Sequence, residues 1–292
     1  MTARDRVQAL ARGIFTFDEG THGRLVGQGD PSSISIDGNA NSGAVLAFHG
    51  FAGTPREVSI VTDVASRLGF SARAPRLSGH TDHVRDLMNV GWNDWTQDAA
   101  RALTELDGRG KGNEAGEPRH RGVVVCGLSL GALLATHLAA TEPERVAALV
   151  VLANATWLRF SSFRLPLGLL ERLEPFDNRF YMRKFGADIR DPVARRTHLT
   201  YELNPIKSAI EVIRAGRIVR PELSRVRCPT LVIHGRLDRV CPVRNAFWFA
   251  RRLGTDDVDV RIMPRSGHIV TLDVDRRDVE LALETFLSRY LV

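Results

Sequence analysis

Gly122-Val123-Val124-Val125-Cys126-Gly127-Leu128-Ser129-Leu130-Gly131, continued by Ala132-Leu133-Leu134-Ala135-Thr136-His137-Leu138-Ala139-Ala140, is the stretch that decides the fold. Its first five residues are an unbroken apolar run, which a strand carries when helices cover both of its faces. From Leu130 the composition becomes Leu and Ala over a helical length. Only Gly127 to Gly131 separates the two, so the chain must turn sharply there, and the flanking glycines remove side chains that would clash. A serine in such a turn is forced into a strained backbone with its hydroxyl exposed. The helix behind it aims the positive end of its dipole at the same point. A bare GxSxG arises in turns by chance; a buried strand before it and a helix after it make Ser129 a candidate nucleophile.

The same alternation extends both ways. Upstream, Ala44–Phe48 is a short apolar strand running into His49-Gly50-Phe51-Ala52-Gly53. Thr54 is placed to cap the next helix and Pro55 to open it, with Val58, Ile60, Val61, Val64 and Leu68 apolar before Gly69. A strand over 71–74 and a helix from about Trp92 to Leu106 follow. Residues 107–121 are polar and glycine-rich, and read as an exposed loop. Downstream, Val146–Leu152, Thr230–Ile233 and Val258–Met263 are further buried strands. The pattern predicts an α/β chain with a mostly parallel, doubly wound sheet and right-handed crossovers. The segment 154–226 breaks the rhythm. It reads as helical and is dense in large apolar residues, among them Trp157, Leu158, Phe160, Phe163, Leu165, Leu167, Phe176, Phe180, Tyr181 and Phe185. We therefore expect a core of 1–153 and 227–292 with a small helical cap, 154–226, over the strand ends.

Composition narrows the function classes. The chain has 292 residues, 43% hydrophobic and 25% charged, enough to bury a full core. It has a net charge of +6, yet only Lys111, Lys184 and Lys207 among its 40 basic residues are lysines. The arginines are spread along the sequence, which points to a solvated surface and away from nucleic acid. Cys126, Cys228 and Cys241 form neither a CxxC pair nor an even set, which argues against a disulfide framework and a thiolate zinc site. No run of about 18 apolar residues marks a membrane segment, and the first thirty residues lack a signal-peptide core. The expectation is a cytoplasmic monomer or homodimer acting on a small molecule.

A serine hydroxyl needs a base, and the base an orienting carboxylate. His268, in Pro264-Arg265-Ser266-Gly267-His268, alone among the nine histidines follows the final strand. His137 lies within a helix, and His49 and His234 end strands beside glycine, where they can bond loop backbone. Asp238 follows the strand 230–233 in a loop where open sheets form ligand sites. Asp257 and Asp259 are weaker rivals, and Asp273 is placed to cap the last helix. Asn154, at the other possible acid position, carries no charge. The expected oxyanion donors are the backbone N–H groups of Leu130, just after the nucleophile, and of Phe51, in the loop after an early strand, where Gly50 and Gly53 let that loop approach the substrate.

With these residues in view, the chain resembles the α/β-hydrolase superfamily, and within it the bacterial carboxylesterase and monoacylglycerol lipase group. The likeness rests on HGF at 49–51, GLSLG at 127–131, HGRLDRVCP at 234–242 and SGHIVTLD at 266–273, and the order serine, acid, histidine is that of the superfamily. It implies a serine esterase needing no cofactor or metal, with a small cap holding an acyl chain. Trp157, Phe160, Phe163 and Leu167 are the expected pocket residues, and esters with an apolar, medium-length acyl group, such as monoacylglycerols, the expected substrates. A carbon–carbon bond hydrolase or a thioesterase would use the same triad, and a ligand-sensing protein could retain it.

Overall fold

Seven strands build the central sheet: β1 (Ile34–Ile36), β2 (Ala44–Phe48), β3 (Ser71–Ala74), β4 (Val123–Leu128), β5 (Val146–Leu152), β6 (Thr230–Gly235) and β7 (Val258–Met263). Their order is β7-β6-β5-β4-β2-β3-β1. All neighbours are parallel except the edge strand β1, which runs antiparallel to β3. This computed structural model describes residues 14–16, 23–39, 43–108, 122–159, 180–184 and 186–290. The glycine-rich loop falls largely within 109–121, outside the described residues.

The apolar runs are unbroken because both sheet faces are covered. On β2, Ala44, Leu46 and Phe48 share one core with helices α2 (Trp92–Asp107) and α3 (Leu130–Thr141). The alternate residues Val45 and Ala47 share the other with α1 (Ser59–Arg67) and α7 (Arg276–Leu287). That is the two-residue periodicity of a strand between two helical layers. Helix α3 is buried on nearly every side, since α2 and α5 (Ile206–Val219) pack on it as well as the sheet. No described helix is long and apolar enough to cross a membrane.

Three expectations need correction. The described part of the insertion is not purely helical: besides α4 (Pro192–Thr197) and α5 it contains short strands at Phe180–Arg183, Thr200–Tyr201 and Leu203–Pro205. Two of these take up the N-terminal stretch, Ile14–Thr16 pairing with Phe180–Arg183 and Leu25–Val26 with Thr200–Tyr201, so the boundary drawn at 1–153 is crossed. Short exposed strand edges satisfy their backbone groups on each other in this way. Thr54 precedes a 3-10 turn, Pro55–Val58, and its hydroxyl caps nothing.

Parallel strands bring their C-terminal ends to one edge of the sheet. That edge carries the segments following β2, β4, β6 and β7.

Candidate active site

Ser129 joins β4 to α3 with φ at 57°, left-handed backbone that a non-glycine residue adopts only under constraint. Its N–H donates to the Leu152 carbonyl of the neighbouring strand at 2.9 Å. The turn is so tight that a Cβ on Gly127 would lie 1.9 Å from the Gly131 carbonyl oxygen, and one on Gly131 would lie 2.1 Å from that of Phe48. Both glycines are therefore steric requirements. Among the described residues no acceptor takes the N–H of Leu130 or of Phe51, so both remain available to an incoming oxyanion.

After β6 and β7, Asp238 and His268 meet: His268 Nδ1 lies 2.8 Å from Asp238 Oδ2. Asp238 is wholly buried and accepts from four donors, the N–H groups of Val240 (2.8 Å) and Cys241 (2.7 Å), His268, and His234 Nε2 at 3.0 Å. Burial alone would raise its pKa; the facing His268 and His234, by charge and hydrogen bond, hold it well below the usual carboxylate range. Burial would likewise lower His268, but the Asp238 charge raises its pKa well above the ordinary histidine value. Among the described residues no hydrogen bond joins the Ser129 hydroxyl to the imidazole, and such resting bonds tighten when substrate is in place.

The insertion braces these loops. The Asp188 carbonyl accepts the His268 N–H at 2.9 Å, and its carboxylate accepts the Arg239 N–H at 2.7 Å. Asp273 does not cap α7, whose N-cap position is Asp275; its carboxylate instead gathers the N–H groups of Arg190, Asp191, Val274 and Gly267 and ties the insertion to the histidine loop. Asp257 pairs with Arg289 and Asp259 with Arg261, both exposed.

A buried polar cluster lies behind the loop at 49–53, and little in the local sequence foretells it. Glu57 accepts the Gly50 N–H at 2.9 Å and meets His198 at 3.2 Å. Desolvation works against its ionisation, but His198, His49 and the Gly50 N–H together hold its pKa below the usual value. A Cβ on Gly53 would lie 2.2 Å from the same carboxylate, so Gly53 makes room for Glu57 rather than for substrate. His49 and His80, both lowered mainly by burial, are neutral ring acceptors for the Leu77 and Ala52 N–H groups. Ala52 is itself left-handed, with φ at 55°. Its carbonyl accepts from Lys184 Nζ (3.2 Å) and Thr200 Oγ1 (2.9 Å), which are 2.8 Å from each other. Thus two residues of the insertion grip the residue next to Phe51. The signal in the sequence was the rarity of lysine.

The donor atoms of Asp238, Cys241 and His268 lie within 4.8 Å of one another, a spacing that could accept a metal ion. The carboxylate and imidazole are already engaged with each other, and burial pushes the Cys241 thiol up to about 11, leaving it protonated and a poor ligand. Trp157, expected in the acyl pocket, packs edge-on against Trp248 beside the acid loop, at 4.1 Å between ring centroids. Phe160, Phe163 and Leu167 lie outside the described residues.

Residues 39–275 match the family described as serine aminopeptidase, S33. A thermostable monoacylglycerol lipase of Bacillus sp. (strain H-257) is 26% identical over 243 residues, 83% of this chain and 89% of that protein. A carboxylesterase of Bacillus subtilis (strain 168) is 23% identical over 84% of this chain and 92% of its own length. Among solved structures, one describing the metagenome-derived lipolytic enzymes LipS and LipT aligns with a TM-score of 0.77 at 25% identity, covering 89% of this chain and 98% of that one. A monoglyceride lipase variant from Saccharomyces cerevisiae, 15% identical, aligns with a TM-score of 0.72 over 95% of this chain and 99% of its own, and shows the fold.

Proposed function

We propose that this chain, which belongs to the serine aminopeptidase S33 family and is an α/β-hydrolase of the esterase and monoacylglycerol lipase kind, hydrolyses esters of apolar, medium-length acyl groups through an acyl-enzyme on Ser129. The observation that carries the reading is the 2.8 Å pairing of His268 with a saturated, buried Asp238 at the sheet edge where Ser129 is held in strained backbone.

In the first half-reaction the Ser129 oxygen attacks the ester carbonyl while His268 takes its proton. Asp238 stays ionised, fixes the imidazole by its Nδ1–H and stabilises the imidazolium. The tetrahedral oxyanion is met by the N–H groups of Phe51 and Leu130, at the positive end of α3. His268 then protonates the departing alcohol. Water repeats the sequence on the acyl-enzyme, activated by the same imidazole, and releases the acid. The apolar acyl preference is supported by the large side chains of the insertion, and monoacylglycerols by the name of the Bacillus relative.

Hydrolysis of p-nitrophenyl esters from acetate to palmitate tests this reading. Activity peaking at medium chain lengths is expected. A preference for acetate would remove the apolar pocket, and failure on every ester would remove the esterase assignment.

A further inference from the structure

The arginines, spread along the sequence, are gathered by the fold. A half-open groove of about 660 Å³ lies between α5 and α6 (Arg244–Ala250), floored by residues 155–158. Arg217 and Arg220 enter it from the end of α5, and Arg244, Arg251 and Arg252 from α6 and the turn after it. No acidic side chain lines it among the described residues, and neither Ser129, His268 nor Phe51 does.

Elsewhere many guanidinium groups meet carboxylates: Arg76 with Asp82, Arg145 with Asp107, Arg261 with Asp259, Arg289 with Asp257. Here Arg220, Arg244, Arg251 and Arg252 have no carboxylate partner among the described residues. Arg220 instead stacks on Trp157 at 5.1 Å from the ring centre, and Arg252 on Trp248 at 4.0 Å. A guanidinium over an aromatic ring is steadied by the cation–π attraction and still has N–H groups to offer in a two-pronged bond to an anion. Crowding like charges costs energy that an anion in the groove relieves; burial and then the Arg217 charge lower the pKa of Arg220. Between the cations the lining is apolar, with Ala155, Leu158, Ile213 and a Phe247 that is 46% exposed.

Cations around an apolar trough of this volume fit a charged head on a hydrocarbon body. We propose that this groove is a second binding site, apart from Ser129, for a single-chain amphiphile with a carboxylate head. That is the chemical class of the acid released by ester hydrolysis, and the choice of head group rests on the proposed function. The site is tied to the acid loop: Asn245 of α6 donates to the carbonyls of Asn154 and Trp157 at 3.0 and 2.8 Å, and Arg159 Nε donates to the Asp238 carbonyl at 3.0 Å.

The test titrates the full chain, as Ser129→Ala so that nothing turns over, with monomeric laurate, read by tryptophan fluorescence and calorimetry. Saturable binding is expected, weakened by salt and by about tenfold or more in Arg220→Ala/Arg252→Ala. The pair Arg244→Gln/Arg251→Gln provides a second variant that keeps the tryptophan stacking. Arg67→Ala, on the far helix layer, should bind as the parent does. Equal affinity for dodecanol, or unchanged affinity in both groove variants, overturns the proposal. Binding to anionic phospholipid vesicles but not to laurate overturns it in favour of a bilayer surface. Ester hydrolysis by the native chain is measured separately, so laurate binding without hydrolysis would refute the proposed function while leaving the groove as a carboxylate site.

Discussion

Replacing Lys184 by Met should slow the reaction without weakening substrate binding. Lys184 and Thr200 hold the Ala52 carbonyl, and Ala52 is left-handed at a φ of 55°. That backbone costs roughly 1–2 kcal/mol in a residue with a Cβ. If the grip is what maintains it, its loss lets the loop relax by about that amount, and each 1.4 kcal/mol is about tenfold in population. The neighbouring Phe51 N–H is then aligned in a minor fraction of molecules, and kcat should fall roughly tenfold. That is less than the 10²–10³ typical of deleting an oxyanion donor outright. The assay is kcat and KM on p-nitrophenyl butyrate, with Thr200→Val as a second way to loosen the same carbonyl. Burial pushes the Lys184 pKa down to about 8, against a smaller opposing effect of Glu57. The native enzyme should therefore lose kcat as pH rises through that region and the ammonium deprotonates, a limb absent from Lys184→Met. An unchanged kcat and an unchanged alkaline limb, in a variant of normal melting temperature, would refute the reasoning.

Asp238→Asn should lower kcat by about 10⁴, since the amide cannot orient and stabilise the imidazolium; an ordinary rate would remove Asp238 from the site. Because Asp238 raises the His268 pKa, the acid limb of kcat/KM should lie above the ordinary histidine value, with activity lost as pH falls through it. The linked stability has the opposite sense: a raised folded pKa stabilises fully below the unfolded value and is lost as pH rises through the folded one, which melting curves of native and His268→Gln protein will show. Gly131→Ala places a Cβ 2.1 Å from the Phe48 carbonyl and should cost about 3 kcal/mol, or roughly 6–12 °C in melting temperature; a neutral result would contradict the tight elbow.

The parallel sheet was legible because its central strands are buried on both faces and so read as apolar runs, with Val146–Leu152 matching to the residue. Val258–Met263 also matches in its bounds but is an edge strand, half-buried with Asp259 and Arg261 facing solvent, and not the buried strand expected of it. Edge strand β1 was not, since Ile34-Ser35-Ile36 is three residues long and half-buried. The strand ends pointed to Ser129, Asp238 and His268, because chemistry at such an edge needs particular residue types after particular strands. What holds those residues was out of reach. Asp188 and Asp273 are 80 or more residues from some of their partners, and Glu57 meets His198 across the chain. His234, read as bonding backbone, also bonds Asp238 four residues on, a spacing visible in the sequence but without a geometry until the loop was folded. The arginine groove was hidden for the same reason: proximity along the chain says little about which side chains two helices bring face to face.

The central claim is that Ser129 is the nucleophile, and the most direct measurement is intact mass after exposure to a fluorophosphonate, on native and Ser129→Ala protein. One added phosphonyl group on the native chain, mapped to residues 123–141, with none on the variant and ester hydrolysis lost in parallel, is the predicted result. Labelling of the variant, or hydrolysis that survives the substitution, would contradict the account.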